Sequence, residues 1–320
     1  MIIRTIAFYN VENLFDIFSN SYAQDDDFTP EGKFAWTQSK YNDHLNKIAH
    51  VISKIGKKER KSAPDIVGLA EVENKNVLKD LIRTKALAPY NYGFIHYNSP
   101  DARGIDVALL YKKSVFTPTH HSTHPLELYN EKGARIFTRD ILAVSGLLDG
   151  EEIHFIVNHW PSRREGKKKT RKRREVAALL NKSLIEGFQQ HNPKAKIISM
   201  GDFNDNAFDT SFKHILKTKG KRKEVSEQDL FNPMEAMYQR GMGTLVFEGK
   251  WDLFDQMYFT GTLLYTTKGT FYFVKSYVFN PSYLLYDNGL KPIAPRRSMT
   301  KGRYTGGYSD HLPVYLLLKK

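Results

Sequence analysis

Along the chain, short runs that are apolar at every second position or throughout alternate with longer stretches whose apolar residues recur every three to four positions. The first pattern suits strands with one or both faces covered, and the second suits helices lying on a sheet. Strands are predicted at "IIRTIAFYN", "DIVGLAEV", "YGFIHYN", "IDVALLYKK", "RDILAVSGLL" joined through "DGEE" to "IHFIVNHW", "KAKIISMGD", "FDQMYF" and "LPVYLLL". Helices are predicted at "YNDHLNKIAHVISKIG", "KNVLKDLIRTKAL", "KTRKRREVAALLNKSLIEGFQQ" and "DTSFKHILKT". In the long third helix Val176, Leu179, Leu180, Leu184 and Phe188 recur at helical spacing, so that face is expected to dock while the Arg and Lys residues stay in water. The alternation predicts an α/β protein. Residues 260–307 break the pattern and read as hairpins or long loops, in which Arg296, Arg297, Arg303, Tyr304 and Tyr308 either line a substrate groove or belong to a plain connecting loop.

Composition narrows the possibilities. With 320 residues and 41% hydrophobic content, the chain can bury a core large enough for one big α/β domain or two ordinary ones. The absence of cysteine excludes disulfides, thiolate metal sites and cysteine nucleophiles, so any metal must be held by oxygen or imidazole. No apolar run reaches the length of a membrane span, and "MIIRTIAFYNVENL" lacks the layout of a signal peptide. A cytoplasmic monomer without an integral membrane segment is expected, unless a leader has been trimmed. The formal charge of +13 is concentrated: in "RREGKKKTRKRR", residues 163–174, nine basic residues and one Glu give +8, leaving +5 for the rest of the chain. Such a run either contacts a polyphosphate backbone or anionic lipid, or forms the solvated start of a basic helix.

The predicted strands share a feature at their ends. "IAFYN" ends in Asn10, "DIVGLAE" in Glu71, "IHFIVNH" in Asn158 and His159, and "IISMGDFN" in Asp202 and Asn204; Asp255 opens "DQMYF", and Asp310 and His311 stand just before "LPV". Each has a bland reading taken singly, as a cap, a turn residue or a satisfied histidine. A carboxylate near a core is costly unless something cationic meets it, so "SMGDFND" signals a metal, a phosphate site or a polar turn. Six strand edges that each offer a carboxylate, amide or imidazole are hard to ascribe to turn propensity, because rigid strand ends are where sheet enzymes aim side chains at substrate. Hard oxygen ligands such as Glu71, Asp310 and the Asn10 amide suit Mg²⁺ or Mn²⁺. Neither a nucleophile elbow, a Walker loop nor a zinc-type histidine pair is present, which leaves metal-assisted attack of water on phosphorus as the leading reaction.

From "FYNVENLF" to "YSDHLPVYLLL", and above all in the pair "GDFN" and "SDH", the sequence resembles the endonuclease/exonuclease/phosphatase superfamily, which contains DNase I, exonuclease III type nucleases, inositol polyphosphate 5-phosphatases and bacterial sphingomyelinases. The "NVENLFD" opening resembles a bacterial subgroup of it. The resemblance implies one domain over residues 1–320 and a four-layer α/β/β/α sandwich of two mixed sheets, DNase I-like, with the site at one edge. It implies Asn10, Glu71 and Asp310 as metal-side residues for Mg²⁺, with Mn²⁺ as a substitute. Asp202 matches the residue that orients or deprotonates water, and Asn204 the one that steadies phosphoryl oxygens. His311 is paired with Asp255, and His159 stands as a second histidine. Arg103 and Arg139 are assigned to phosphate contact or structural pairing. Two departures stand out: Ala70 replaces the Gln that many members have before the metal-ligand Glu, and His159 stands where abasic-site enzymes carry Asn, which argues against a dedicated repair role.

The surroundings decide the ester. The basic run begins four residues after His159, which puts Arg163 and Arg164 at the rim of the cleft as substrate phosphate contacts. A metal-dependent nuclease or phosphodiesterase with little base specificity is therefore expected, acting on nucleic acid or another phosphate ester. A phosphatase or phospholipase C-type enzyme on inositol phosphates, nucleotides or lipid headgroups is the alternative, followed by a catalytically silent nucleic-acid-binding module.

Overall fold

The computed structural model describes residues 1–287 and 293–320. Twelve strands form two six-stranded sheets. They are β1 (Ile3–Leu14), β2 (Ile66–Val72), β3 (Tyr92–His96), β4 (Asp106–Lys112), β5 (Phe116–His124), β6 (Ile141–Leu148), β7 (Glu151–His159), β8 (Ile197–Asp202), β9 (Leu230–Phe231), β10 (Asp255–Thr260), β11 (Tyr272–Val278) and β12 (Val314–Lys319). The first sheet has the order β11-β12-β1-β2-β4-β3 and the second β9-β10-β8-β7-β6-β5. Each is mixed: β1 is parallel to β2 and antiparallel to β12, and β8 is parallel to β7 and antiparallel to β10. The expected pair of mixed sheets in an α/β fold is what the chain adopts.

Alternation along the strands sets the layers. In the second sheet Phe155, Val157, Ile198, Met200, Met257 and Phe259 join the core between the sheets, while Ile156, Ile197 and Tyr258 point the other way, toward helix α3 (Lys167–His191). Helices α1 (Gln38–Lys54) and α2 (Lys75–Arg83) cover the first sheet, burying Leu45, Ile48, Ile52, Val77, Leu78 and Leu81 in the same core cluster. Gly68 of β2 lets the sheets close on each other, since a Cβ there would lie 2.6 Å from the Met200 sulfur. Among the described residues no helix is long and apolar enough to cross a membrane.

Four expectations differ in detail. Strand β5 was missed because "FTPTHHSTH" is polar and pairs on one side only, with β6, as an edge strand must. Strand β11 lies inside the aromatic stretch expected to be hairpins or loops, and residues 288–292 of that stretch lie outside the described residues. The helix predicted at "DTSFKHILKT" shrinks to a π-helical turn, Ser211–Leu216. The buried stripe of α3 runs through Thr170, Arg174, Ala177, Ala178, Asn181 and Ile185, while Leu179 is 55% exposed. Val176, Leu180, Leu184 and Phe188 pack half-buried against the same core as expected, while the centre of the stripe holds two alanines that allow close approach and Asn181 and Arg174, which find partners beneath.

His44 of α1 is fully buried between Trp36 and Tyr304, with its ring nitrogens facing the backbone of Val11 and Glu12. Burial pushes it down from 6.5 to about 4. A depressed histidine gives stability that is complete above its unfolded pKa and is lost as pH falls toward the folded one. Urea unfolding should therefore show the protein about 2 kcal/mol less stable at pH 5 than at pH 7.5 through this residue alone. His44→Phe should remove that share of the loss, and an identical acid sensitivity in the variant would exclude His44 as its source.

Candidate active site

The site forms where the C-terminal ends of β1, β2, β7 and β8 meet the beginnings of β10 and β12. Strand register places His159 beside Asp202 and Asp202 opposite Asp255, so three adjacent strands present the three side chains in a row. Gly201 makes this possible: a Cβ there would stand 2.5 Å from the Asn158 carbonyl oxygen and 2.6 Å from the Asn158 Cβ. The glycine before the carboxylate is a packing requirement of the sheet.

Asp202 is the hub. Its Oδ2 accepts from Asn10 Nδ2 at 3.1 Å and its Oδ1 from the Asn204 backbone N–H at 3.0 Å. His159 Nε2 lies 3.6 Å and His311 Nε2 3.8 Å from the same Oδ2. Burial pushes Asp202 up to about 6, with His311 pulling it down and Asp255 pushing it up. His311 Nδ1 is 2.7 Å from Asp255 Oδ2. Burial alone would favour a neutral ring, but Asp255 and Asp202 outweigh it and hold His311 well above its ordinary value. His159 goes the opposite way: burial, reinforced by Arg139, Arg103, His311 and Arg164, drives it well below, so a neutral and a charged imidazole flank one carboxylate.

Glu71 sits where the register of β2 shifts against β4, with φ +66, in the left-handed region. Its Oε2 accepts from the Asn13 N–H at 3.0 Å, and its Oε1 is 3.7 Å from Arg103 Nη1 and 3.9 Å from His159 Nε2. Glu12, Asn13 and Asn204 share that backbone region, so local strain gathers at this edge of the sandwich. Glu12 was not anticipated, although two-residue alternation from Asn10 pointed to it. It is 1% exposed, accepts from the Ser298 N–H at 2.5 Å and from Arg297 Nε at 3.2 Å, and Arg297 Nη2 reaches Asp310 Oδ2 at 2.8 Å. Burial and the Asp310 charge push Glu12 up to about 8, only partly offset by Arg297.

The structure thus brings Asn10, Glu71, His159, Asp202, Asn204, Asp255, Asp310 and His311 to one edge. The phosphate contacts expected of the arginines need correction. Arg139 is buried, with Nη1 on Asp101 Oδ2 at 2.9 Å and Nη2 on the Trp160 carbonyl at 2.8 Å. Arg163 is buried on Asn204, Asp205 and Asp209. Neither offers a free guanidinium; the cations near the site that keep exposure include Arg103, in part, Arg164, and Arg297, which pairs with Glu12 and Asp310. Asn158, though next to His159, faces α3, where it meets Asn181 and Ser199. The Asn10 amide is engaged at both ends, with Oδ1 accepting from the Glu12 N–H at 3.1 Å. Asp205 and Asn206 anchor the loop: Asp205 takes Arg163 and Arg174, and Asn206 Oδ1 accepts from the Leu253 N–H at 2.8 Å. Trp160 is packed in the core.

The residues fit a divalent cation. Glu71, Asp202 and Asp310 offer hard oxygen donors at this edge, burial and then the Asp310 charge raise Glu12, and Asp255 Oδ1 is buried without a hydrogen-bond partner. Ligand atoms of Asp202, Asp255 and His311 lie within 4.8 Å of one another. With His311 hydrogen-bonded to Asp255, that trio is also a carboxylate–imidazole couple facing a second carboxylate.

Residues 5–320 match the model of a family described as the Endonuclease/Exonuclease/phosphatase family. Comparison with curated proteins finds no match. Among solved structures, an endonuclease/exonuclease/phosphatase family protein from Bacteroides thetaiotaomicron is similar at 18% identity, over 99% of this chain and 98% of that one, with a TM-score of 0.58. The mannosyl-6-phosphatase of Bacteroides thetaiotaomicron VPI-5482 is similar at 19% identity, over 99% and 100%, with a TM-score of 0.58. D. rerio TDP2 in complex with single-strand DNA product is similar at 13% identity, over 99% of each chain, with a TM-score of 0.57. These likenesses are of fold.

Gly201→Ala should cost about 2 kcal/mol or more, because the clash is with backbone of a central strand that cannot yield cheaply. Urea denaturation checks this, and a variant as stable as the parent would mean that β7 can move away.

Proposed function

We propose, because the chain belongs to the Endonuclease/Exonuclease/phosphatase family, that it hydrolyses phosphate esters with the help of a divalent cation and that its substrate is a phosphodiester of nucleic acid, taken with little base specificity. The observation that carries the hydrolytic reading is the Asp255–His311 couple facing Asp202, with the Glu71 carboxylate across His159. The preference for a polynucleotide is supported by the exposed cations Arg164, Lys167, Lys168, Lys169, Arg171 and Lys172, which begin at a residue close enough to His159 to depress its proton affinity. Every side chain invoked comes from one chain, so a monomer suffices.

In this reading Asp202 is ionised at neutral pH and takes a proton from the attacking water, held for that task by Asn10 and the Asn204 N–H. As the water oxygen bonds to phosphorus, the ester oxygen leaves with the bonding pair. His311 donates its Nε2–H to the phosphoryl oxygens, where negative charge grows, and Asp255 fixes its orientation and its charge. Neutral His159 donates at the same face, and Arg103 adds positive charge beside Glu71. Glu71, with Glu12 and Asp310 nearby, would hold Mg²⁺ or Mn²⁺, which when bound supplies Lewis acidity and charge compensation.

Purified protein incubated with Mg²⁺ and either single-stranded DNA or plasmid should cleave both, EDTA should stop it, and Asp202→Asn should lower the rate by about 10²–10⁴-fold with folding intact. Release of inorganic phosphate from sugar phosphates or inositol polyphosphates with DNA left whole would make the protein a phosphatase, and DNA binding without turnover would make it a silent module. Replacing the six exposed cations of 164–172 by Gln, with Arg163 and Arg174 kept, should weaken polynucleotide binding and flatten its dependence on log salt; an unchanged slope would show that the helix start does not touch the substrate.

A further inference from the structure

Arg163 stands at the head of the basic run, yet it is only 4% exposed. Its Nε donates to the Asn204 carbonyl at 2.6 Å, and its Nη2 donates to Asp205 Oδ1 at 2.9 Å and Asp209 Oδ2 at 2.6 Å. The guanidinium lies over the Phe254 ring, 4.4 Å from its centroid, one residue before Asp255. Arg174 of α3, wholly buried, braces the same place from behind: its Nε is 2.7 Å from Asp205 Oδ1, while Ser211 Oγ holds the other oxygen at 2.8 Å. Two arginines of a run that reads as solvent-facing are thus folded inward onto the loop that follows Asp202.

We infer that Arg163 is a positioning residue for the hydrolysis, fixing the backbone conformation of Asn204 so that Asp202 stays aimed at the attacking water. This rests on the phosphoesterase reading above. Asn204 has φ +50, an unfavourable conformation for a residue with a side chain, which persists only when neighbours over-determine it. Three contacts do so: its N–H on Asp202 Oδ1 at 3.0 Å, its side-chain Nδ2 on the Trp160 carbonyl at 3.0 Å, and its carbonyl on Arg163. The first is also one of the two hydrogen bonds that orient the Asp202 carboxylate. Releasing the carbonyl removes one of the restraints on the left-handed Asn204 backbone; relaxation of its φ then re-aims the N–H of the preceding peptide, which loosens that bond and with it the base. A lysine cannot substitute, because a compact ammonium lacks the planar fork that serves a carbonyl and two carboxylates while stacking on a ring.

Arg163→Lys and Arg163→Ala test this with two independent readouts. With bis-p-nitrophenyl phosphate and Mn²⁺, kcat should fall by about 100-fold, as expected for a slight misplacement of a catalytic group. KM should stay within about twofold, and methylguanidinium should restore part of the Ala variant's rate. Hydrogen exchange of the Asn204 amide should quicken by about tenfold or more while the amides of β8 and β10 keep their protection. A raised KM at unchanged kcat would make Arg163 a substrate contact, and uniform loss of protection across the sheet would make it a general structural residue; either overturns the inference. If the parent protein cleaves no phosphate ester, the functional reading fails, and the exchange result alone decides whether Arg163 holds the loop.

Discussion

Carboxylates drawn out of water at one edge of a sandwich must each meet a proton, a cation or a hydrogen-bond donor, and the rest of the molecule is arranged around that demand. Asp255 is met by His311, Asp202 by Asn10 and the Asn204 N–H, and Asp205 by two guanidinium groups and a hydroxyl. Glu12 is met only in part, by Arg297 and the Ser298 N–H, and its proton affinity rises accordingly. Where compensation is complete, the groups hold the scaffold together. Where it is incomplete, as at Glu12, burial favours the neutral acid until a further cation compensates it.

The expected family and fold class are borne out, and the reasons lie in particular residues. Strands such as "KAKIISMGD" and "LPVYLLL" are buried on both faces and so read as continuous apolar runs, whereas the edge strand "FTPTHHSTH" gains nothing from apolar residues and left no such trace. The polar residues at strand ends were legible because a strand enters the core with a fixed side-chain alternation. The bulges at β1 and β2 were not, because a single left-handed residue at Glu71 or Glu12 leaves no periodic signature.

Charge was the least legible property. Position in a basic run says nothing of which cations turn inward, since that depends on carboxylates brought up from elsewhere in the chain, here Asp205, Asp209 and Asp101. Arg163 was for this reason misjudged as a free phosphate contact, and Arg139 takes the structural pairing that was its alternative, while Arg164, next to Arg163, points to solvent. The face of α3 was legible only in part for a related reason: Val176, Leu180, Leu184 and Phe188 dock as read, but Asn181 is buried because Asn158, Ser199 and Tyr258 each offer it a partner, and no helical pattern records such partners.

The strand order carries a further consequence. Asn10 and the imidazole of "SDH" are far apart in sequence, and His311 faces Asp202 only when β12, which follows it, is paired beside β1. Any form of the chain in which β12 is unpaired therefore lacks the His311 side of the site, however well the second sheet has formed.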